Sequence, residues 1–394
     1  MADLSRMPRH AVTAGVVTLS LLASGCSGDS KDKAAPSPTS TTATPSTTRT
    51  PPPLRVTAKG LPNDLLATMK VVYLGGKVPA TGDVAGYVAK RKPLKKSVAL
   101  TGSTGRWKNT RIAAVGYGKD VTLLVKDKKT WTVVGGWWPS LGLAQRVPTK
   151  TMRVLAIGSD ARPNEKVASQ RSDSLHIIGV DAKGVGGIVG IPRDSWVPLA
   201  SGGTNKINAS LAFGGPTGVT RTVQNNSGVP IDGYLMTGFK GFRGMVNTMG
   251  GIRFVASEVL KSSHGPTLLK KGVNLLRGEP ALNVARERHT LPNGDFGRSA
   301  NQGRLILAGM GMAHAGGAAK LPKYLSAMWP HVETNLTAAQ VLNLAAAALV
   351  TDSSKVPNKV TPGGVGMRSG QSVVLLGGGA QALFNDIKDG RLGG

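Results

Sequence analysis

Cysteine is almost missing from the sequence: Cys26 is the one example in 394 residues. That excludes intramolecular disulfides and cysteine-rich zinc sites. The six histidines show no paired ligand spacing such as H-E-x-x-H, which argues against a histidine zinc hydrolase. Acidic residues are also scarce. Asp and Glu total 21 against 49 Lys and Arg, for a formal charge of +28. A surplus of that size points to nucleic acid, a membrane surface or a polyanionic substrate, and composition does not choose among them. Apolar residues make up 40% of the chain, enough for a sizeable core, so a wholly disordered chain is excluded. The length allows one large domain or two ordinary ones.

No apolar run is long enough to span a bilayer. The longest is 11–25, preceded by Arg6, Arg9 and His10 and interrupted by Thr13, Thr18, Ser20 and Ser24. As a helix it would rise about 22 Å, short of a hydrocarbon core of roughly 30 Å. A secretion signal fits it better. The run ends Leu22-Ala23-Ser24-Gly25-Cys26, which resembles a bacterial lipobox with Cys26 as the acylated residue. Ala23 stands where leucine is commonest, and an ordinary cleaved signal with an incidental cysteine is the alternative. Residues 27–53 are Ser, Thr, Pro, Ala and Lys with almost nothing large and apolar, so they read as a flexible tether. Mature residues then lie on the outer face of the cytoplasmic membrane, lipid-anchored on the cell-wall side. That location excludes nucleic acid as a natural partner.

Two folded segments follow, with different patterns. Residues 54–148 hold short β-branched runs, including 71–74, 111–117, 121–125 and 130–134, which predict a small basic β-rich domain. Lys and Arg outnumber Asp and Glu there about four to one. This excess predicts salt-sensitive attraction to anionic wall polymer or lipid head groups. The stretch 126–129 reads as a hairpin turn. Trp131, Trp137 and Trp138 read either as a sugar-stacking platform or, more simply, as core and rim. From residue 151 the pattern changes. Apolar runs at 152–157, 175–180 and 187–191 predict strands; 280–288, 298–315 and 338–349 predict helices. The combination predicts a layered α/β domain over 151–376, followed by a C-terminal tail over 377–394.

Polar residues cluster just after the predicted strands, where open α/β folds place their sites. Asp160 and Arg162 follow the first strand, Arg171-Ser172-Asp173 precede the second and Arg193-Asp194 end the third. Lys206-Ile207-Asn208, Arg286-Glu287-Arg288, Asp295, Arg298 and Asn301-Gln302 come later. An Arg-Asp dipeptide alone is usually a surface pair worth little. In order, however, the strings GSDAR, RSDS, IPRDSWV, KINAS-LAFGGP, IDGY, GGI, LNVARER, NGDFGRSANQ and VETNLT resemble the LytR-CpsA-Psr family over 152–376. The segment before residue 152 lies outside that resemblance.

The resemblance implies a three-layer α/β/α domain, preceded here by the β-rich segment. It implies an extracytoplasmic phosphotransferase, with a polyprenyl-pyrophosphate-linked anionic glycopolymer as donor and peptidoglycan as acceptor. Arg193, Arg286, Arg288 and Arg298 would line the pyrophosphate, and Arg171, Lys206 and Gln302 would complete the cage. Asp160 and Asp173 match the metal carboxylates, for Mg²⁺ with Mn²⁺ as substitute. Asp194 would orient Arg193 or act as base. The chemistry of the residues agrees: guanidinium forks match phosphate oxygens, and oxygen ligands beside phosphates suit Mg²⁺. Arg286 and Arg288 sit about 200° apart on a helix, so the pair predicts a helix end or an irregularity there. The segments 305–315 and 338–349 are candidates for the wall of a lipid channel. A polyprenyl-pyrophosphate pyrophosphatase and a non-catalytic wall-binding lipoprotein are the alternative functions.

Overall fold

The computed structural model describes residues 52–393, apart from Pro163 and His264. The signal-like run, Cys26 and the tether through residue 51 lie outside the described residues. After a two-residue strand at Val56–Thr57, paired in parallel with Val98–Ala99, the basic segment forms two helices, α1 (Asn63–Leu74) and α2 (Gly82–Val88). The run 71–74, expected as a strand, is the last turn of α1. Leu65, Thr68, Met69, Val72 and Tyr73 are buried at three- and four-residue spacing, and that periodicity overrides local β propensity.

A five-stranded antiparallel meander follows: β1 (Thr101–Trp107), β2 (Thr110–Tyr117), β3 (Asp120–Asp127), β4 (Thr130–Trp138) and β5 (Leu143–Val147). The turn between β3 and β4 contains Lys128 at φ 47°. Trp131, Trp137 and Trp138 are all buried, which removes the sugar-stacking platform. Arg111 and Lys126 cover the Trp131 ring at 5.6 and 5.9 Å from its centroid. One face of the meander packs Val115, Leu124 and Trp131 against Leu65, Met69 and Tyr73. The other face packs Trp107, Ile112 and Leu123 against Leu321, Leu325 and Leu342. Because that second core is shared, Pro53–Gly394 form one compact unit and the basic segment is not a body of its own.

The α/β segment begins with β6 (Met152–Ser159), β7 (Ser172–Val180) and β8 (Val185–Gly190), antiparallel neighbours with a single 3-10 turn (Val167–Ser169) in the loop between β6 and β7. The hairpin β9 (Trp196–Pro198) and β10 (Thr204–Lys206) leads to α3 (Ala209–Ser227), kinked where Gly215 takes φ 58° ahead of Pro216. Next come β11 (Gly233–Thr237), α4 (Phe239–Thr248), and the hairpin β12 (Ile252–Ala256) and β13 (Gly272–Leu276). Helices α5 (Gly278–Arg286), α6 (Gly294–Gly316) and α7 (Leu321–Met328) precede the short strand β14 (Glu333–Thr334) and α8 (Ala338–Val350). The chain ends with β15 (Asn358–Val360), the hairpin β16 (Gly363–Arg368) and β17 (Gln371–Leu376), and α9 (Gly378–Asp386).

The central sheet is mixed, in the order β14-β11-β6-β7-β8-β15. Alternate residues divide its faces. Leu155, Ile157, Leu175, Ile177 and Val189 pack against Val219 and Val223 of α3 and Phe384 of α9. Ala156, Gly158, Ser174 and Ile178 face the opposite way, toward residues of α6 and α8. Residues 377–394, expected as a tail, instead supply α9. Phe384, Ile387 and Leu392 are buried in the first of these layers, so apolar spacing at the chain end carries real packing.

Candidate active site

Strand direction gathers the polar residues. The β6–β7 and β7–β8 pairs are antiparallel, so the end of β6, the start of β7 and the end of β8 meet at one edge. Asp160, Arg171, Asp173, Arg193 and Asp194 all lie at that edge. A register shift at Gly158–Ser159 re-aims the chain just before Asp160. The Asp160 N–H donates to the Arg171 carbonyl (3.0 Å), and the Arg171 N–H donates to Asp160 Oδ1 (2.9 Å), closing the base of the loop between them. Pro192 stops β8, and a tight turn holds the next two residues. Ser195 donates to the Pro192 carbonyl from its N–H (3.1 Å) and its hydroxyl (2.7 Å), while Val374 N–H donates to the Asp194 carbonyl (2.9 Å).

Within this turn Arg193 Nη1 donates to Asp173 Oδ1 at 2.5 Å. Asp194 lies 3.9 Å from Arg193 Nε and accepts from Lys206 Nζ at 3.1 Å. Arg193 Nε is buried and makes no hydrogen bond. Burial alone would lower the Arg193 pKa, but Asp173, Asp194 and Asp295 more than offset it and the net shift is upward. The Asp160 carboxyl is held above the ordinary range by burial and then by the nearby charge of Asp173. Two carboxylates in mutual repulsion are a pair that a cation would relieve. Among the described residues no group of three or more His, Cys, Asp or Glu is gathered around a metal-sized space.

The Arg-x-Arg motif straddles a helix end, as its spacing predicts. Helix α5 stops at Arg286, and Glu287 is extended at φ −65° and ψ 129°. The buried Glu287 carboxylate accepts from the N–H groups of Ser263 (3.1 Å), His289 (2.8 Å) and Thr290 (3.2 Å). Burial would raise its pKa, but these backbone donors bring it below the ordinary value. Glu287 thereby fixes the loop that presents both arginines. Arg286 is exposed and stacks over Phe239, with its guanidinium carbon 4.8 Å from the ring centroid. Arg298, in the first turns of α6, is buried and ion-paired with Asp295. Burial lowers the Arg298 pKa, with the charges of Arg193 and Arg288 adding to that shift against the pull of Asp295. Cations held against one another's repulsion favour an anion between them. Gln302 Nε2 donates to the Ala285 carbonyl at 2.9 Å and reaches the Asp173 carbonyl at 3.4 Å, tying α6 to both α5 and β7.

Behind this cluster runs a cavity of ≈ 340 Å³. Asp173, Arg286, Arg298 and Gln302 line its polar end. The remaining wall is almost wholly apolar, with Phe239, Phe242 and Met245 of α4 facing α6 and α8. Leu305, Ile306, Gly309, Met310 and Ala313 come from the first candidate wall segment, and Val341, Leu344, Ala345 and Ala348 from the second. Small residues on the sheet, Ala156, Gly158 and Ser174, leave the space open.

All ten expected cage and metal residues thus converge: Asp160, Arg171, Asp173, Arg193, Asp194, Lys206, Arg286, Arg288, Arg298 and Gln302. Arg171 and Arg288 join through their charges, Arg171 acting on Asp160 and Arg288 on Asp295 and Arg298. Sequence reasoning missed Asp295 as the partner of Arg298, although their i,i+3 spacing on a helix is a readable signal. It also missed Glu287 and Phe239, which carried none. His176 was missed as well. Fully buried beneath α6, it sits between the Ser174 hydroxyl (3.1 Å from Nδ1) and the Ser299 carbonyl (2.9 Å from Nε2). Burial pushes its pKa down to about 4. The unfolded chain therefore takes up a proton near pH 6.5 that the folded chain refuses until about pH 4. Stability is expected to fall by about 3 kcal/mol as pH drops through that window. Urea unfolding between pH 7 and pH 4 checks this, and His176→Gln should flatten the slope.

Residues 126–383 match the LytR_cpsA_psr family, so the match begins inside β3, earlier than the motifs alone placed it. The polyisoprenyl-teichoic acid--peptidoglycan teichoic acid transferase TagU of Bacillus anthracis is 33% identical over 201 residues, covering 50% of this chain and 64% of that protein. The transferase of the same description named TagV, from Bacillus subtilis, is 36% identical over 186 residues, covering 44% and 47%. The matched region is thus less than two thirds of the length of either relative. The crystal structure of B. subtilis TagV superposes with a TM-score of 0.50 at 29% identity, covering 58% of this chain and 91% of that one. A Streptococcus agalactiae protein of solved structure superposes with a TM-score of 0.54 at 24% identity, covering 61% and 87%, a likeness of fold.

Proposed function

Because the chain belongs to the LytR_cpsA_psr family, we propose that it is an extracytoplasmic phosphotransferase that moves an anionic glycopolymer from a polyprenyl pyrophosphate to peptidoglycan. The observation that carries this reading is one cavity, apolar along its length and cationic at one end. A polyprenyl chain needs the first property and a pyrophosphate the second. The curated relatives act on polyisoprenyl-linked teichoic acid, which supports a donor of that kind. The acceptor hydroxyl attacks the phosphorus that stays on the glycopolymer and releases its proton to solvent. The bond from that phosphorus to the bridging oxygen breaks, and polyprenyl phosphate leaves.

Phosphoryl transfer asks for positioning and charge neutralisation. Arg286, Arg288 and Arg298 hold the developing charge, with Arg193 adding its own charge beside them. Arg171, Lys206 and Gln302 complete the rim. Asp194, engaged by Lys206 and beside Arg193, favours the orienting role over that of base. Asp160 and Asp173 would hold Mg²⁺ or Mn²⁺, for which carboxylate oxygens are suitable donors. Such an ion would neutralise charge on the pyrophosphate. A lipid on Cys26 would hold the enzyme at the outer face of the membrane. Among the described residues no helix is long and apolar enough to cross it.

The test is turnover of a lipid-linked donor by the purified chain, with and without a peptidoglycan oligosaccharide. Polyprenyl phosphate and a covalent adduct are expected only with acceptor, and chelation should suppress both. Donor breakdown to the same extent without acceptor would make the protein a pyrophosphatase. The third candidate, a simple wall binder, has lost its Trp137/Trp138 platform to the core.

A further inference from the structure

The hairpin β12–β13 carries a surface that the proposed reaction does not use. Its residues alternate strictly: Ile252, Phe254 and Ala256 are buried, while Arg253, Val255, Val273 and Leu275 point outward. Val255 pairs with Val273, and Arg253 with Leu275, so the four outward side chains form one contiguous face. Val255 is 62% exposed, Val273 56% and Leu275 65%, and Val259 in the adjoining loop is 55% exposed. These four lie within 252–276, whereas Leu54, Phe213 and Val350 are exposed singly and Val365 and Met367 make a smaller pair on β16. Around them stand the exposed cations Lys261, Lys270, Lys271 and Arg277, and Glu258 is the one acidic residue between 252 and 277.

We propose that this hairpin face lies on the membrane and inserts its aliphatic residues among anionic phospholipids. Aliphatic side chains ringed by Lys and Arg match the boundary between acyl chains and anionic head groups. A protein-binding surface would instead be enriched in aromatics and depleted in Lys, the reverse of what is present. Position supports the same occupant. The hairpin is one layer thick: Ile252 lines the cavity, and Phe254 packs with Leu305, which also lines it. Resting on the reading that the cavity holds a polyprenyl chain, this places the bilayer against the wall of the compartment that receives the lipid.

The experiment uses the full chain carrying Cys26→Ser and Leu275→Cys, labelled with an environment-sensitive fluorophore. The protein is reconstituted in phosphatidylcholine vesicles containing phosphatidylglycerol. Blue-shifted emission, quenched by spin labels in the upper acyl chain, is expected at position 275. The same label at position 367, an exposed apolar site on another hairpin, should stay aqueous. A label at 275 that stays aqueous in vesicle-bound protein overturns the proposal. So does a blue shift that grows with protein concentration without vesicles, which would mean a second copy covers the face. A second arm combines Leu275→Ser with Lys270→Glu and Lys271→Glu. Each cation near an anionic surface is worth about fivefold in binding, so turnover of vesicle-embedded donor should fall more than about tenfold. Turnover of detergent-dissolved donor should be unchanged, and an equal loss in both formats contradicts the proposal. If the transferase reading itself fails, even the unaltered chain turns over neither donor, and the label at 275 still reports on the membrane.

Discussion

Arg286→Ala is expected to lower transfer by about 10²–10³-fold, the scale set by loss of one preorganised charge-stabilising donor. Melting temperature should barely move. Arg286 is exposed and stacks on Phe239, and among the described residues no carboxylate pairs with it. Its removal therefore leaves no buried charge behind. Arg298 is the poorer probe although it is closer to the core. Taking it away strands the Asp295 carboxylate in a buried site, at a cost of about 3–5 kcal/mol, and lost activity would then be confounded with lost structure. Single-turnover rates of Arg286→Ala, measured alongside thermal unfolding, check the expectation. Undiminished transfer would remove the guanidinium cluster from the mechanism.

Gly309→Phe is expected to abolish donor binding, by more than about 100-fold, while leaving the fold as stable or more so. Gly309 lies inside α6 and lines the cavity, and a Cβ there meets nothing within 4 Å. Replacing an interior helical glycine recovers roughly 0.5–1 kcal/mol of backbone entropy. The phenyl ring then enters the space assigned to the lipid. Gly303 on the same helix shows why position decides the outcome. A Cβ there would fall 2.0 Å from Asn358 Oδ1, so that substitution would break the packing instead. Gly309→Ala should keep activity and gain stability, which separates filling of the cavity from any effect on the helix. Binding of a short-chain polyprenyl pyrophosphate by titration calorimetry is the measurement. Tight binding by Gly309→Phe would place the lipid elsewhere.

The sequence was most legible where period and punctuation agreed. The apolar cores of β6, β7 and β8, and the helices around 280–288, 298–315 and 338–349, fall where their patterns place them. The Arg286–Arg288 spacing foretold a helix end, because side chains two apart share a direction only on extended backbone. Reading the 71–74 run as a strand failed because four apolar residues, two valines, a tyrosine and a leucine, fit the end of a buried helix as well as a strand. Only the preceding buried positions back to Leu65 decide between them. The boundary at 148 failed for another reason. Trp107 and Ile112 share a core with Leu321 and Leu342, and contacts over two hundred residues apart leave no local trace. The site residues were found as a set through motif order, yet the partners that fix them were not. Glu287 acts through backbone N–H groups, and His176 joins a strand to a carbonyl of α6, so neither advertises its role by spacing.

A crystal structure of the chain with a polyprenyl pyrophosphate and Mg²⁺ would show whether the cavity receives the lipid and the arginine cluster the pyrophosphate. The isoprenoid chain is expected between α4 and α6, along Phe242, Leu305 and Gly309. The pyrophosphate should rest on Arg193, Arg286, Arg288 and Arg298, with the cation within reach of Asp160 and Asp173. A lipid bound outside that cavity, or a cation held by other residues, would contradict this arrangement.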